Sequence, residues 1–134
     1  MGTSPKRAKR QKTILLVDDD PIVVKSLREV LRRKGYEVFA AETLDDAITA
    51  VKTVLDIDLL IVDAVMPQMS GPELAEILVF MRPKMKILFI TGLDGFTIRL
   101  AFNGQCDCLQ KPFSMTVLLS KVHDLLKEVV EAEP

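Results

Sequence analysis

The sequence predicts an α/β fold in which a parallel sheet of five strands carries helices on both faces. Three observations lead there. Short runs rich in branched apolar residues recur along the chain, each about the length of one strand. Between them lie segments with apolar residues at helical spacing, opened by capping residues and closed by glycine or proline. The strand-like runs are apolar at successive positions instead of alternating, the pattern of a sheet covered on both sides.

The elements follow in order. Thr13-Ile14-Leu15-Leu16-Val17 reads as a buried strand. Asp20 is placed to cap a helix with Pro21 at its first position, Val24, Leu27, Val30 and Leu31 on the apolar face, and Gly35 at its end. Tyr36–Ala40 is a second strand. Thr43 caps a second helix with Leu44, Ala47, Ile48, Val51 and Leu55 on one face, and Leu59–Val62 is a third strand. A loop from Asp63 to Gly71 precedes a helix opened by Pro72, faced by Leu74, Ile77, Leu78 and Met81, and stopped at Arg82-Pro83. Ile87–Ile90 is a fourth strand. A short, weak helix is expected around Phe96 to Phe102, in a stretch thinned by Gly92, Gly95 and Gly104. Cys106–Gln110 is the fifth strand, and Ser114 caps a last helix carrying Leu118, Val122, Leu125, Leu126 and Val129. Crossovers between parallel strands are expected to be right-handed.

With 134 residues the chain has the length of one domain. Its 49% hydrophobic and 28% charged residues exclude disorder of the whole chain. No apolar run approaches the roughly 18 residues of a membrane span. Gln11-Lys12 leads directly into the first strand, with no secretory apolar region before it. Two cysteines do not make a disulfide scaffold, so a cytoplasmic location is expected. Lys6, Arg7, Lys9, Arg10 and Lys12 place five of the 18 basic residues in the first twelve positions, leaving 13 basic against 19 acidic residues in the remainder. A basic flexible leader (1–12) before an acidic domain (13–131) is the expected organisation. An acidic body does not bind nucleic acid by itself.

Ligands of open α/β sheets sit at the carboxyl ends of the strands. The first strand leaves into Asp18-Asp19-Asp20, the third into Asp63, the fourth into Thr91, and the fifth into Lys111-Pro112. Carboxylates, a hydroxyl and an ammonium are therefore expected on one edge of the sheet. Packed carboxylates repel unless a cation relieves them, and Mg²⁺ accepts such oxygen donors. A carboxylate beside Mg²⁺, with Lys111 and Thr91 to hold phosphoryl oxygens, suits phosphoryl transfer onto an aspartate. Asp20 is read as a helix cap only. Cys106 and Cys108 share one strand face and are read as ordinary small thiols, and His123 as a surface residue of the last helix.

Four stretches taken together resemble a known family: Ile14–Asp20, Leu60–Gly71 with Asp63 at its fourth position, Ile90-Thr91-Gly92, and Leu109-Gln110-Lys111-Pro112-Phe113. In order and spacing they are similar to the receiver domains of two-component response regulators, which are CheY-like, over about residues 13 to 130. Met69–Leu74 and Leu109–Phe113 look like receivers attached to hybrid sensor histidine kinases. The resemblance implies a flavodoxin-like (βα)5 fold with strand order 2-1-3-4-5. It implies that Asp63 accepts a phosphoryl group from a histidine kinase or phosphotransfer protein. Asp19, Asp63 and the carbonyl of Val65 would ligate Mg²⁺, with Asp18 acting through water. Thr91 and Lys111 would contact the phosphoryl group, and the Lys111-Pro112 bond would be cis. Such a domain would be a monomer or weak homodimer and not an enzyme in its own right.

The sequence differs from the family in its fifth strand and in a slightly short stretch from Thr91 to Lys111. Cys108 stands where a tyrosine or phenylalanine is usual. Val65 and Leu93, two residues beyond Asp63 and Thr91, are both apolar where they flank the path of a hydrolytic water, so a long-lived phosphorylated form is expected. Two rival readings are a receiver-like binding module that is not phosphorylated and an aspartyl-phosphate phosphatase. The second usually needs another aspartate where Val65 stands.

Overall fold

The computed structural model describes residues 11–92, 98–99, 102 and 105–127. Every residue of β1 (Thr13–Val17) and β3 (Leu59–Asp63) is buried. Successive side chains of a strand point to opposite faces, so a strand buried throughout needs cover on both. Ile14 and Leu16 enter one core with Val24, Leu27 and Leu31 of α1 (Pro21–Arg33) and with Leu118, Val122 and Leu126 of α4 (Met115–Leu126). Leu15 and Val17 enter the other with Ala47 and Val51 of α2 (Leu44–Thr53) and with Leu74, Ala75 and Leu78 of α3 (Gly71–Met81). With β2 (Glu37–Ala41), β4 (Lys86–Thr91) and β5 (Asp107–Gln110), the sheet has the order β2-β1-β3-β4-β5, parallel throughout. This is the doubly wound, flavodoxin-like arrangement that the sequence predicts.

The caps explain most boundaries. Asp20 accepts a hydrogen bond from the Ile22 N–H at 2.9 Å, Thr43 from Asp46, and Ser114 from Val117. Gly35 takes φ +94° at the end of α1, a conformation that side chains with a Cβ rarely adopt. The third helix starts one residue before Pro72, because the Ser70 hydroxyl caps it by accepting the Glu73 N–H.

Several local expectations change. Tyr36 lies outside β2, which starts at Glu37 and runs on to Ala41. Leu55 is 80% exposed and off the apolar face of α2, because that helix closes at Thr53. There the Arg82 guanidinium donates to the Val51 carbonyl at 2.8 Å, and the chain beyond turns away from the helix axis. Ile77 of α3 is exposed, and Ala75 takes the core position in its place. Of the weak helix expected around Phe96 to Phe102, only Ile98, Arg99 and Phe102 are described. Ile98 and Arg99 are helical, and the Phe102 ring stands 5.3 Å from that of Phe89. The leader up to Arg10, the segment containing Leu93 and Gly95, Gly104, Val129 and the end of the expected domain at 131 lie outside the described residues.

Candidate functional site

The strand register brings the acids together. Val17 pairs with Val62, so β1 and β3 end side by side and the next residue on each strand is Asp18 and Asp63. One carboxylate oxygen from each of Asp18, Asp19 and Asp63 lies within 4.8 Å of the others. Asp18 and Asp63 are buried, and Asp19 faces solvent. Asp20 does not join them, since its side chain caps α1 as expected.

Backbone turns hold two of these carboxylates. Asp18 Oδ1 accepts the Asp20 N–H at 2.9 Å, and Asp63 Oδ1 accepts the Val65 N–H at 3.0 Å. Each is a tight local turn in which a side chain satisfies the amide two residues on. The Asp63 bond also fixes the backbone at Val65, whose side chain is exposed. Burial raises the Asp18 carboxyl above its ordinary value of 3.8; the Asp20 N–H pulls it down, and the Asp63 charge pushes it up again.

The opposite charge comes from the far side of β4. Thr91 ends β4 opposite Gln110, and the Lys111 N–H donates to the Thr91 carbonyl at 2.8 Å. The Lys111-Pro112 peptide is cis. From there the Lys111 ammonium donates to Asp63 Oδ2 at 3.2 Å. Thr91 is buried at the same edge. The structure thus gathers Asp18, Asp19, Asp63 and Lys111, with Val65 and Thr91 on the adjoining backbone.

One contributor was not singled out from the sequence. A Cβ at Gly71 would overlap the Asp63 carbonyl oxygen and stand 2.8 Å from Ala64 Cα. The glycine lets the start of α3 close onto the end of β3, where its N–H donates to the Ala64 carbonyl at 3.0 Å. The Gly71-Pro72 pair pointed to a helix start, and nothing in one sequence distinguishes a helix start from a close backbone approach. The fifth strand starts one residue later than expected, so Cys106 lies just before β5 and packs against the same core as the buried Cys108; neither cysteine is in a disulfide, and His123 is exposed.

Hard oxygen donors at this spacing form a set that a divalent cation accepts. The ammonium on the opposite side supplies a fixed positive charge for anionic oxygens. An arrangement of this kind can hold a phosphoryl group beside a carboxylate.

The response regulator receiver domain model matches residues 14–123. A sensor kinase CckA from Brucella abortus is 31% identical over 87% of this chain, which corresponds to 13% of that protein. A transcriptional regulatory protein CrdR from Helicobacter pylori is 36% identical over 84% of this chain and 54% of its own length. The chain therefore spans about half or less of these curated relatives. Among solved structures, the response regulator protein TrrA from Thermotoga maritima in complex with Mg²⁺-BeF is similar with a TM-score of 0.75 and 32% identity, covering 87% of this chain and all of that one. Among the described residues, no helix is long and apolar enough to cross a membrane.

Proposed function

We propose, from the premise that this chain belongs to the response regulator receiver domain family, that Asp63 accepts a phosphoryl group from a phosphohistidine of a partner kinase or phosphotransfer protein. A carboxylate oxygen of Asp63 attacks phosphorus, the P–N bond to the imidazole breaks, and the departing imidazole takes up a proton. The observation that carries this reading is the joint placement of three carboxylates within 4.8 Å and one ammonium 3.2 Å from Asp63.

The roles follow from position. Lys111 leaves its contact with the free carboxylate and holds a phosphoryl oxygen, which spreads the charge that builds up in transfer. The Thr91 hydroxyl supplies a second donor. Asp19, Asp63 and the Val65 carbonyl would hold Mg²⁺, with Asp18 one water removed. Bound there, the ion neutralises charge between the acids and the phosphoryl oxygens. The neighbouring backbone then responds to a new dianion at Asp63, giving two conformations whose balance phosphorylation shifts.

The reading includes a signalling domain over residues 13–131 behind a basic leader (1–12), a cytoplasmic location, and a monomer or weak homodimer. The similarity to sensor kinase CckA supports a kinase or phosphotransfer partner. The test is intact mass after incubation with Mg²⁺ and acetyl phosphate. One phosphoryl group is expected on the wild type and none on Asp63→Asn. Full labelling of Asp63→Asn would overturn the assignment.

A further inference from the structure

On the α2–α3 side of the acid cluster lies an open cavity of about 450 Å³. Leu44, Met66, Met69 and Leu74 form apolar walls, and Asp19 and Glu42 contribute carboxylates. Among the described residues, no lysine or arginine lines it. Both acids are exposed, whereas Leu74 is buried, so charge lies toward solvent and apolar surface lies deeper.

This lining selects a ligand chemistry. A neutral apolar group would bury surface but crowd two carboxylates without compensation. An anion would be repelled. An inorganic cation would use the carboxylates and leave the apolar walls wet. An aliphatic stem ending in a cation satisfies both parts, as lysine and arginine side chains do at apolar surfaces with charged margins. The two methionine side chains are unbranched and adapt to such a stem.

We propose that this cavity receives an arginine or lysine side chain of the protein that docks against the carboxyl edge of the sheet. The identity of that protein as a phosphodonor rests on the function proposed above; the cavity and its ligand chemistry do not. Because Asp19 belongs to both the cavity and the acid cluster, the incoming cation and Mg²⁺ draw on the same carboxylate, and each weakens the other.

The test is an amide NMR titration of the full chain at low ionic strength, without Mg²⁺, using Nα-acetyl-arginine methylamide and then its neutral isostere built on citrulline. Saturable shifts are expected at the amides of residues 42–44, 66, 68 and 69. The citrulline compound and the exposed-site variant Glu42→Gln should each bind more weakly, by up to about fivefold, the range for loss of one exposed ion pair. Added Mg²⁺ should weaken the arginine compound further. Equal binding of the two compounds, shifts confined to other surfaces, or no saturable shift would overturn the proposal. So would the same resonances moving when residues 1–11 are deleted without any ligand, since the chain's own basic leader would then be the occupant. In Asp63→Asn the arginine titration should persist while phosphoryl acceptance is lost. A wild type that binds the arginine compound but never gains mass would overturn the proposed function and leave this inference standing.

Discussion

Lys111 Nζ donates to Asp63 Oδ2 across 3.2 Å, reaching over the end of β4 from β5 to β3. The lysine side chain is 42% exposed and the aspartate 10%. A pair open to water on one side adds little to stability. Its consequence is positional: a positive charge is held beside Asp63, one of the two buried carboxylates at the edge of the sheet.

Lys111→Ala should therefore fold normally, with a loss below about 1 kcal/mol in denaturant melts. It should still bind Mg²⁺, because the carboxylates remain. Phosphorylation-dependent change in amide or fluorescence spectra should nearly vanish. Spectral changes equal to wild type would show that the ammonium does not couple phosphorylation to shape.

Without divalent ions, the buried Asp18 carboxyl should make stability fall as pH rises through its titration. The folded state holds the Asp18 proton more tightly than the unfolded chain does. The contribution of this group is thus most favourable at low pH and is lost as pH climbs from its ordinary 3.8 through the raised folded value. Asp18→Asn keeps an oxygen for the Asp20 N–H and removes the buried charge. It should melt higher than wild type at neutral pH in EDTA. A lower or equal midpoint would show that burial of this charge is not costly.

Mg²⁺ should raise the melting midpoint of the wild type. A ligand that binds only the folded state adds about 1.4 kcal/mol at ten times its dissociation constant. Asp19→Asn and Asp63→Asn should each reduce that gain. Thermal melts at low salt with increasing Mg²⁺ check this, and an unchanged wild-type midpoint would mean that the carboxylates hold no metal.

Gly71→Ala should cost about 1–3 kcal/mol, as forcing extra volume into a packed site does. The added methyl meets the Asp63 carbonyl and Ala64 Cα, both backbone and unable to swing aside. The displacement passes directly to Asp63, so phosphoryl acceptance should slow as well. Chemical melts together with labelling rates measure both effects; neutral behaviour in both would refute the close approach.

Val65 is 68% exposed beside Asp63 and carries no polar group that could orient a water. Leu93, expected on the other flank, lies outside the described residues. Val65→Asn should speed loss of phosphate, and Val65→Asn with Leu93→Glu more so, approaching the roughly 10²-fold effect of a well-placed polar group. Phosphate release is followed after the donor is removed. Rates equal to wild type would mean that these side chains do not control access of water.

Much of this protein is determined by local pattern. Ile14–Val17 and Leu59–Val62 are apolar at every position, and only a sheet covered on both faces buries such runs, so the fold class was legible in the sequence. Asp20, Thr43 and Ser114 precede apolar-periodic segments, and each caps the expected helix. The acids and Lys111 were legible because strand ends in such a sheet converge on one edge. Other features depended on contacts between segments distant in sequence. Leu55 continues the helical spacing of α2 but is exposed, because Arg82, 31 residues beyond Val51, takes up carbonyls at the helix end. Gly71 looks like a helix start until the Asp63 carbonyl is seen against it. The cavity bounded by Asp19, Glu42 and Met69 draws on three loops, and no residue in any one loop signals it. Periodicity records which face of an element is buried; which partner arrives there, and how closely, is decided when the elements pack.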